Sequence, residues 1–180
     1  MNLFSMRSEH GFTIPELLVV VSIIILMTGL TLPNWRSGER TLTLDRVVHK
    51  AVQDVRRVKE LALRAQAYTC DTGSISAYGV FFDEDTPTSY ILFAECNGNN
   101  TYNDEIDGIV EEVQMESGIK IQSVFPGPQI SIVFVPPTPL VFLKPGDPPL
   151  PLARVFFQRV DGVGTAKILE VTSRGVIDIY

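Results

Sequence analysis

Residues 11 to 35 read GFTIPELLVVVSIIILMTGLTLPNW, and this stretch decides the architecture that we predict for the whole chain. Its apolar run holds one acid, Glu16, and the nineteen residues that follow Glu16 carry no charge before Arg36. The 21 residues from Phe12 to Leu32 are long enough, because about 20 helical residues cross a hydrocarbon layer. The stretch therefore predicts a membrane-spanning helix over residues 12–35.

The residues before the apolar run indicate its orientation and the fate of the helix. Arg7 and the free amino terminus favour the cytoplasmic side for the leading end, so the chain from residue 36 onward is expected outside the cytoplasm. A secretory signal peptide carries its small-residue cleavage site after the apolar stretch. Here the Gly11–Phe12 junction precedes that stretch, so a cut there would leave the helix on the product.

This junction carries a resemblance to a known superfamily. Gly11, Phe12, Thr13 and Glu16, followed by Leu17 to Leu32, resemble the N-terminus of type IV pilins and type II secretion pseudopilins. The resemblance implies that a prepilin peptidase removes residues 1–11 and methylates Phe12. It also implies assembly with other pilin subunits on an inner-membrane platform. Pro15 departs from the aliphatic residue more common in relatives, but a first-turn proline removes no internal hydrogen bond.

Glu16 is expected to have a partner, because a carboxylate at the centre of a bilayer costs roughly 2.5–3.5 kcal/mol. The resemblance implies that this partner is the N-terminal amine of Phe12 in a neighbouring subunit. A buried pair of that kind contributes more to register than to stability. Two alternatives stay open: Glu16 reaches the lipid headgroups as an interfacial acid, or the whole segment is an ordinary signal anchor.

A second helical segment follows the apolar run. Its apolar residues alternate at spacings of four and three, which is typical of a helix with one buried stripe. The stripe consists of Leu44, Val48, Ala51, Val55, Val58, Ala62 and Ala65, widened by Val47, Val52 and Leu61. This pattern fits a two-chain coiled coil or a helix docked on a sheet. We favour docking, because the segment after it has the pattern of a sheet that needs a cover.

The pattern changes near Tyr78 to short runs rich in Val, Ile, Phe and Tyr, which Gly and Pro separate. The predicted strands are Tyr78–Phe82, Tyr90–Glu95, Ile109–Glu116, Ile119–Val124, Ile130–Val135, Ala153–Arg159, Ala166–Thr172 and Val176–Tyr180. Both faces of Ile130–Val135 are apolar apart from Ser131, which predicts a strand covered on both sides. Residues 135–151 hold seven of the twelve prolines, and we predict a surface loop with edge character there.

The predicted fold class is α+β. A transmembrane and assembly helix over residues 12–35 continues as an amphipathic helix over residues 36–70, and a β-rich head outside the cytoplasm covers residues 71–180. The resemblance implies a pilin-like arrangement, in which the long helix packs on two antiparallel sheets. Residues 1–11 are the leader that the peptidase would remove.

Two cysteines, Cys70 and Cys96, fit an exported head. Two thiols outside the cytoplasm more often pair than stay free. The bridge would close a loop of some 25 residues and contribute roughly 3 kcal/mol in the chain-entropy model. Two unpaired thiols remain the alternative, and a metal site is less favoured because the pair lacks CxxC spacing.

The segment from Glu95 to Gly108 is the one constellation that suits a ligand. Its oxygen-bearing side chains fit a hard cation such as Ca²⁺. The candidate ligands are Glu95, Asn97, Asn99, Thr101, Asn103 and Asp107, with Asp104 and Glu105 beside them. The EF-hand pattern does not fit, because its glycine and its final glutamate do not align. The alternative is a polar turn between strands, since Asn, Gly and Asp favour turns.

Charge and composition bear on the function. Residues 34–70 carry eight Lys/Arg against four Asp/Glu, whereas residues 71–180 carry six against fifteen. An acidic head repels phosphate, and the tail has only Arg174 where DNA-binding FimT-like competence pilins use paired arginines. Nucleic-acid binding is therefore disfavoured. His49 is the only histidine after residue 11, and no catalytic motif accompanies it, so an enzyme is not predicted.

The resemblance, the modest size and the eight short β runs together indicate a minor pilin or pseudopilin. The predicted subunit is most like the GspH/FimT class and would assemble into a type II secretion pseudopilus or a type IV pilus. A subunit of an adhesion or motility fibre and a DNA-binding competence pilin are the alternatives.

Overall fold

The computed structural model describes residues 12–71, 73–137, 140–144 and 150–180, and for residues 31–40 and 140 it describes the backbone alone. Helix α1 runs from Ile14 to Leu63 and is 50 residues long. The chain divides into two compact units, Met1–Thr41 and Leu42–Tyr180. Gly11, the predicted cleavage position, lies outside the described residues.

The described residues of the second unit form nine strands in two antiparallel sheets. The strands are β1 Ala77–Asp83, β2 Ser89–Glu95, β3 Gly108–Gln114, β4 Ile119–Phe125, β5 Gln129–Val135, β6 Leu140–Lys144, β7 Leu152–Arg159, β8 Lys167–Thr172 and β9 Ile177–Ile179. The five-stranded sheet has the order β3-β2-β1-β5-β6, and the four-stranded sheet has the order β4-β7-β8-β9. In the first sheet Val80 of β1 pairs with Leu92 of β2 and with Ile132 of β5. The α+β class with two antiparallel sheets is confirmed.

The buried stripe of α1 packs in the main core between these sheets, which confirms docking for the predicted stripe. Val48, Ala51 and Val55 are fully buried and share one hydrophobic cluster with Phe82 of β1 and Phe157 of β7. The rings of Phe82 and Phe157 meet edge to face at 6.3 Å. Ala65 was predicted as the last residue of the stripe but is exposed, because α1 ends at Leu63, before the predicted limit at residue 70.

The end of α1 has an identifiable cause. The Ala65 N–H donates to the Ala62 carbonyl at 2.9 Å, and the Gln66 N–H donates to the Leu61 carbonyl at 3.1 Å. This pair of bonds is the Schellman arrangement, which requires a left-handed backbone conformation at the first residue beyond the C-cap of the helix. Ala65 occupies that position with φ 47° although glycine is the residue that adopts it without strain.

We expect Ala65→Gly to raise the free energy of unfolding of the Leu42–Tyr180 unit by about 0.5–1 kcal/mol, because the left-handed strain of alanine exceeds the entropy that glycine adds to the unfolded chain. Urea unfolding measures the change. Ala62→Gly is the matched control: Ala62 is buried inside the helix, so the same replacement there should destabilise the unit. Equal losses at both positions would contradict the role given to Ala65.

One strand was missed in the proline-rich segment. We predicted a surface loop over residues 135–151, but β6 lies within it and pairs with β5 at the edge of the five-stranded sheet. The five residues between Pro139 and Pro145 are free of proline, and their alternation places Val141 and Leu143 in the main core. The loop prediction was wrong there, whereas the predicted edge character is confirmed.

The strand β5 is covered on both faces, as predicted. Ile130, Ile132 and Phe134 face the main core, while Val133 belongs to a smaller cluster with Ala77 and Phe93 on the opposite face of the sheet. Half-buried side chains complete this outer cluster: Phe81, Ile91, Tyr102, Val135 and Phe142. Tyr102 comes from the loop between β2 and β3, so that loop lies over the outer face.

Candidate functional site

The first candidate site is residues 12–30, which comprise the first turns of α1 and the two residues before it and carry apolar side chains on all sides. Its large apolar side chains are 44–80% exposed. They are Phe12, Ile14, Leu17, Leu18, Val19, Val20, Val21, Ile23, Ile24, Ile25, Leu26, Met27 and Leu30. Consecutive helical residues differ by about 100° around the axis, so runs such as 17–21 leave no polar face. Such a surface is stable in water only when something covers it.

Two hydroxyl groups in this segment bond to the helix itself. Ser22 Oγ donates to the Leu18 carbonyl and Thr28 Oγ1 donates to the Ile24 carbonyl, both at 2.7 Å. Each bond spans four residues, which is the back-bonding geometry that Ser and Thr hydroxyls adopt within a helix. Both hydroxyl protons are therefore donated within the helix, which lowers the cost of covering these residues with apolar groups.

Glu16 lies in the first turn of α1 and is exposed. A negative charge there is favoured by the helix dipole and by N–H groups without an internal partner. The first internal bond of this end runs from the Leu17 N–H to the Thr13 carbonyl at 3.1 Å, so Pro15 leaves it intact. Glu16 thus stands at the surface of the helix, four residues after Phe12.

Within the described part of the chain, no helix is both long and apolar enough to cross a membrane. Residues 31–35, which belong to the predicted span, have side chains outside that part.

The second candidate site is the loop from Glu95 to Gly108, which the predicted disulfide anchors. Cys70 and Cys96 are bonded with a Cα–Cα distance of 5.9 Å, so the pairing is confirmed. Gly73 passes so close to the Cys96 carbonyl that an added Cβ would lie 2.5 Å from its oxygen, and its φ is +84°. The segment after Cys70 is thereby held against the end of β2.

A buried carboxylate organises the start of this loop. Glu95 is fully buried, and its Oε1 accepts hydrogen bonds from the backbone N–H groups of Asn97, Gly98 and Asn99 at 3.1, 2.7 and 3.2 Å. Its Oε2 accepts the Ser76 hydroxyl. Four donors thus compensate the charge that burial would otherwise penalise.

A second carboxylate holds the end of the loop. Asp107 Oδ1 accepts the Cys96 N–H at 2.9 Å and Oδ2 accepts the Asn103 N–H at 2.8 Å. Burial raises the pKa of Asp107, the two N–H groups oppose that rise, and the nearby Glu95 carboxylate adds to it. Tyr102, which lies between Glu95 and Asp107 in the sequence, packs its ring on Phe81 and Phe93 at centroid distances of 4.9 and 5.1 Å.

The other predicted cation ligands also serve the loop itself. The side-chain oxygens of Asn97, Asn99 and Asn103 accept the N–H groups of Asn99, Thr101 and Glu105 at 2.7–3.0 Å. Thr101 is exposed, and its N–H makes the bond to Asn99. Among the described residues, no group of three His, Cys, Asp or Glu side chains has the geometry of a metal site. Calcium binding stays a prediction, and these contacts favour a self-capped turn.

Sequence reasoning missed Asp54 and Tyr90, which form a buried pair between α1 and β2. The Tyr90 hydroxyl donates to Asp54 Oδ2 at 2.5 Å, and both side chains are at least nine-tenths buried. Burial, the hydrogen bond to Asp54 and the nearby acids raise the pKa of Tyr90. The one signal in the sequence was an acid placed directly between apolar positions of the stripe.

Comparison with protein-family profiles, with curated proteins and with solved structures finds no match to this chain.

Proposed function

We propose that this chain is a pilin-like filament subunit, most similar to the minor pseudopilins of the GspH/FimT class. A prepilin peptidase cuts after Gly11 and methylates Phe12. The N-terminal part of α1 is stored in the inner membrane and then packs among the equivalent helices of other subunits. The Leu42–Tyr180 unit stays outside the cytoplasm, and no catalytic step belongs to the chain.

The observation that carries the proposal is the all-round apolar surface of residues 12–30. A helix of this kind needs hydrocarbon or other apolar helices on every side. The Ser22 and Thr28 hydroxyls donate to carbonyls of the same helix, which lowers the free-energy cost of surrounding them with apolar groups. A filament subunit that moves from bilayer to helical bundle has an apolar environment in both states.

The position of Glu16 supports the assembly step. It is the one charge between residues 12 and 30, and it sits in the first turn beside the end that cleavage would create. A new Phe12 amine on a neighbour would supply the opposite charge. Such a pair fixes axial register, because any other alignment leaves both charges unpaired in an apolar bundle.

The second unit supports an extracytoplasmic location and gives little support to DNA binding. The Cys70–Cys96 disulfide suits an oxidising compartment. Basic residues of the helix are engaged with the acidic head: Arg46 bonds Glu116 at 2.8 Å and Arg57 bonds Glu111 at 2.6 Å. These ion pairs partly neutralise the basic side chains that would otherwise be available to bind DNA phosphates.

We expect the mature chain, expressed with a prepilin peptidase, to begin at N-methylated Phe12 in peptide mass spectrometry. Gly11→Val should block the cut, because a branched side chain replaces the glycine at the junction. Glu16→Val should be cut normally, yet its share in sheared filaments should fall by about tenfold or more, since an unpaired terminal amine costs at least about 1.4 kcal/mol.

Ser8→Ala is the matched control for processing, because it changes the leader but leaves the junction intact. Glu16→Asp is the control for assembly and should retain part of the incorporation. A wild-type chain that begins at Met1, or that is cut beyond Leu32, would overturn the proposal. Normal incorporation of Glu16→Val would overturn the assembly role of that residue alone.

A further inference from the structure

Asn97 and Gly98 form the one Asn-Gly pair of the chain, at the exposed turn after β2. In such a pair the following backbone nitrogen can attack the asparagine side chain, because glycine offers no Cβ to hinder the approach. An open cavity of about 460 Å³ lies against both residues, so water reaches them. The intrinsic chemistry of the pair therefore predicts deamidation, and the surrounding contacts decide whether it proceeds.

Three contacts in the folded loop oppose this reaction. The Gly98 N–H, which must lose its proton to attack, donates to the buried Glu95 carboxylate at 2.7 Å. An anion next to that nitrogen disfavours a second negative charge on it. The Asn97 side-chain oxygen accepts the Asn99 N–H at 2.9 Å, which holds the carboxamide in place. The disulfide at Cys96 fixes the residue directly before this turn.

We propose that Asn97 is a latent deamidation site, which Glu95 and the Cys70–Cys96 disulfide keep unreactive while the loop is closed. When the loop opens, Gly98 N attacks Asn97 Cγ and the new C–N bond forms as the bond to the side-chain nitrogen breaks. The side-chain nitrogen of Asn97 takes up the proton lost by the Gly98 N–H and leaves as ammonia. Water then opens the cyclic imide at either carbonyl, which yields aspartate or isoaspartate.

The chemical products of deamidation act against closure of the loop. Aspartate at position 97 places a negative charge two residues from the buried Glu95 carboxylate, and isoaspartate adds a backbone atom to a turn that three hydrogen bonds to Glu95 define. Either product disfavours reclosure. Because Tyr102 of the same loop covers Phe81 and Phe93, an unclosed loop leaves the outer face of the five-stranded sheet uncovered.

The test follows deamidation at Asn97 in the full chain, held in detergent at mildly alkaline pH, by peptide mass spectrometry. The oxidised wild type should react slowly. Reduction of the disulfide, and separately Glu95→Gln with the disulfide intact, should each accelerate the reaction by about tenfold or more, because the rate tracks the population of the open loop. Asn99 and Asn103, which precede Asn100 and Asp104, are internal references that should remain unmodified.

Circular dichroism distinguishes local opening of the loop from global unfolding. If reduction of the disulfide unfolds the whole unit, the Glu95→Gln variant, which keeps the disulfide, decides the test. A synthetic peptide of residues 92–103 gives the rate without any protection. The proposal is overturned when the oxidised wild type deamidates as fast as this peptide. It is equally overturned when a folded Glu95→Gln chain reacts no faster than wild type.

Discussion

Glu95→Ala is expected to lower the free energy of unfolding of the Leu42–Tyr180 unit by about 3–5 kcal/mol, since it removes a buried charge that four donors surround. The backbone N–H groups of residues 97–99 and the Ser76 hydroxyl lose their shared acceptor. A cavity also replaces a side chain that is fully buried. Urea unfolding under oxidising conditions measures the loss with the disulfide in place.

Glu95→Gln is the matched control, because it keeps the volume and one acceptor oxygen but removes the charge. Its loss should be about half that of alanine, since hydrogen bonds to a charged acceptor are roughly twice as strong as neutral ones. Glu105→Ala, at an exposed position of the same loop, should have little effect. A loss below about 1 kcal/mol for Glu95→Ala would mean that the loop is held by the disulfide and Tyr102 alone.

Glu95 also illustrates where sequence reasoning stops. Its residue type and its neighbours indicated a cation ligand, whereas the structure shows it accepting backbone N–H groups of its own turn. Cation binding and capping of the turn both use the carboxylate oxygens of Glu95, so the sequence pattern is the same for the two. Only the path of the backbone at Gly98, which has a positive φ of 78°, turns these N–H groups toward the carboxylate. A list of oxygen-bearing residues cannot reveal that path.

Elements with a periodic pattern were predictable because the period reports the face that is buried. The stripe from Leu44 to Ala62 and eight of the nine strands follow from this principle. β6 was missed because proline density dominated its surroundings, although its own five residues alternate. The end of α1 was missed because Ala65 is a strong helix former, and the capping bonds that stop the helix depend on the backbone rather than the side chain.

The Asp54–Tyr90 pair was hidden for a different reason. Its members are 36 residues apart, and an acid within a helical stripe ordinarily marks the edge of the exposed face. The partner that makes burial of Asp54 tolerable comes from the neighbouring sheet, so only the tertiary fold brings the two together. The pair also sits where α1 meets β2, which makes it a sensitive probe of helix docking.

Tyr90→Phe is expected to lower the free energy of unfolding at neutral pH by about 2–4 kcal/mol, since the Asp54 carboxylate stays buried without its donor. Asp54→Asn is the matched control: the amide oxygen still accepts the Tyr90 hydroxyl, so the loss should be smaller. Thermal or urea unfolding of the Leu42–Tyr180 unit gives both values. A loss for Tyr90→Phe no larger than for Asp54→Asn would show that the hydroxyl contributes little.

Tyr90 should also make the free energy of unfolding depend on pH in the alkaline range, so Tyr90→Phe should change that dependence. Burial, the first cause, and the bond to Asp54 raise the pKa of Tyr90, so the folded chain keeps a proton that the unfolded chain loses above about pH 10. The unfolded state then binds fewer protons, and stability falls as pH rises, by about 1.4 kcal/mol per pH unit for one such group. Tyr78 and Tyr102, whose pKa values burial also raises, contribute in the same sense.

Tyr90→Phe removes one of these three groups, so its stability should fall less steeply above pH 10 than that of the wild type. The difference between the two proteins, largest at neutral pH, should therefore shrink as the pH rises. Asp54→Asn keeps the tyrosine and its burial, so it should retain most of the alkaline slope. Parallel curves for Tyr90→Phe and wild type would mean that Tyr90 ionises in the folded chain as readily as in the unfolded one, which a hydroxyl buried against Asp54 does not permit.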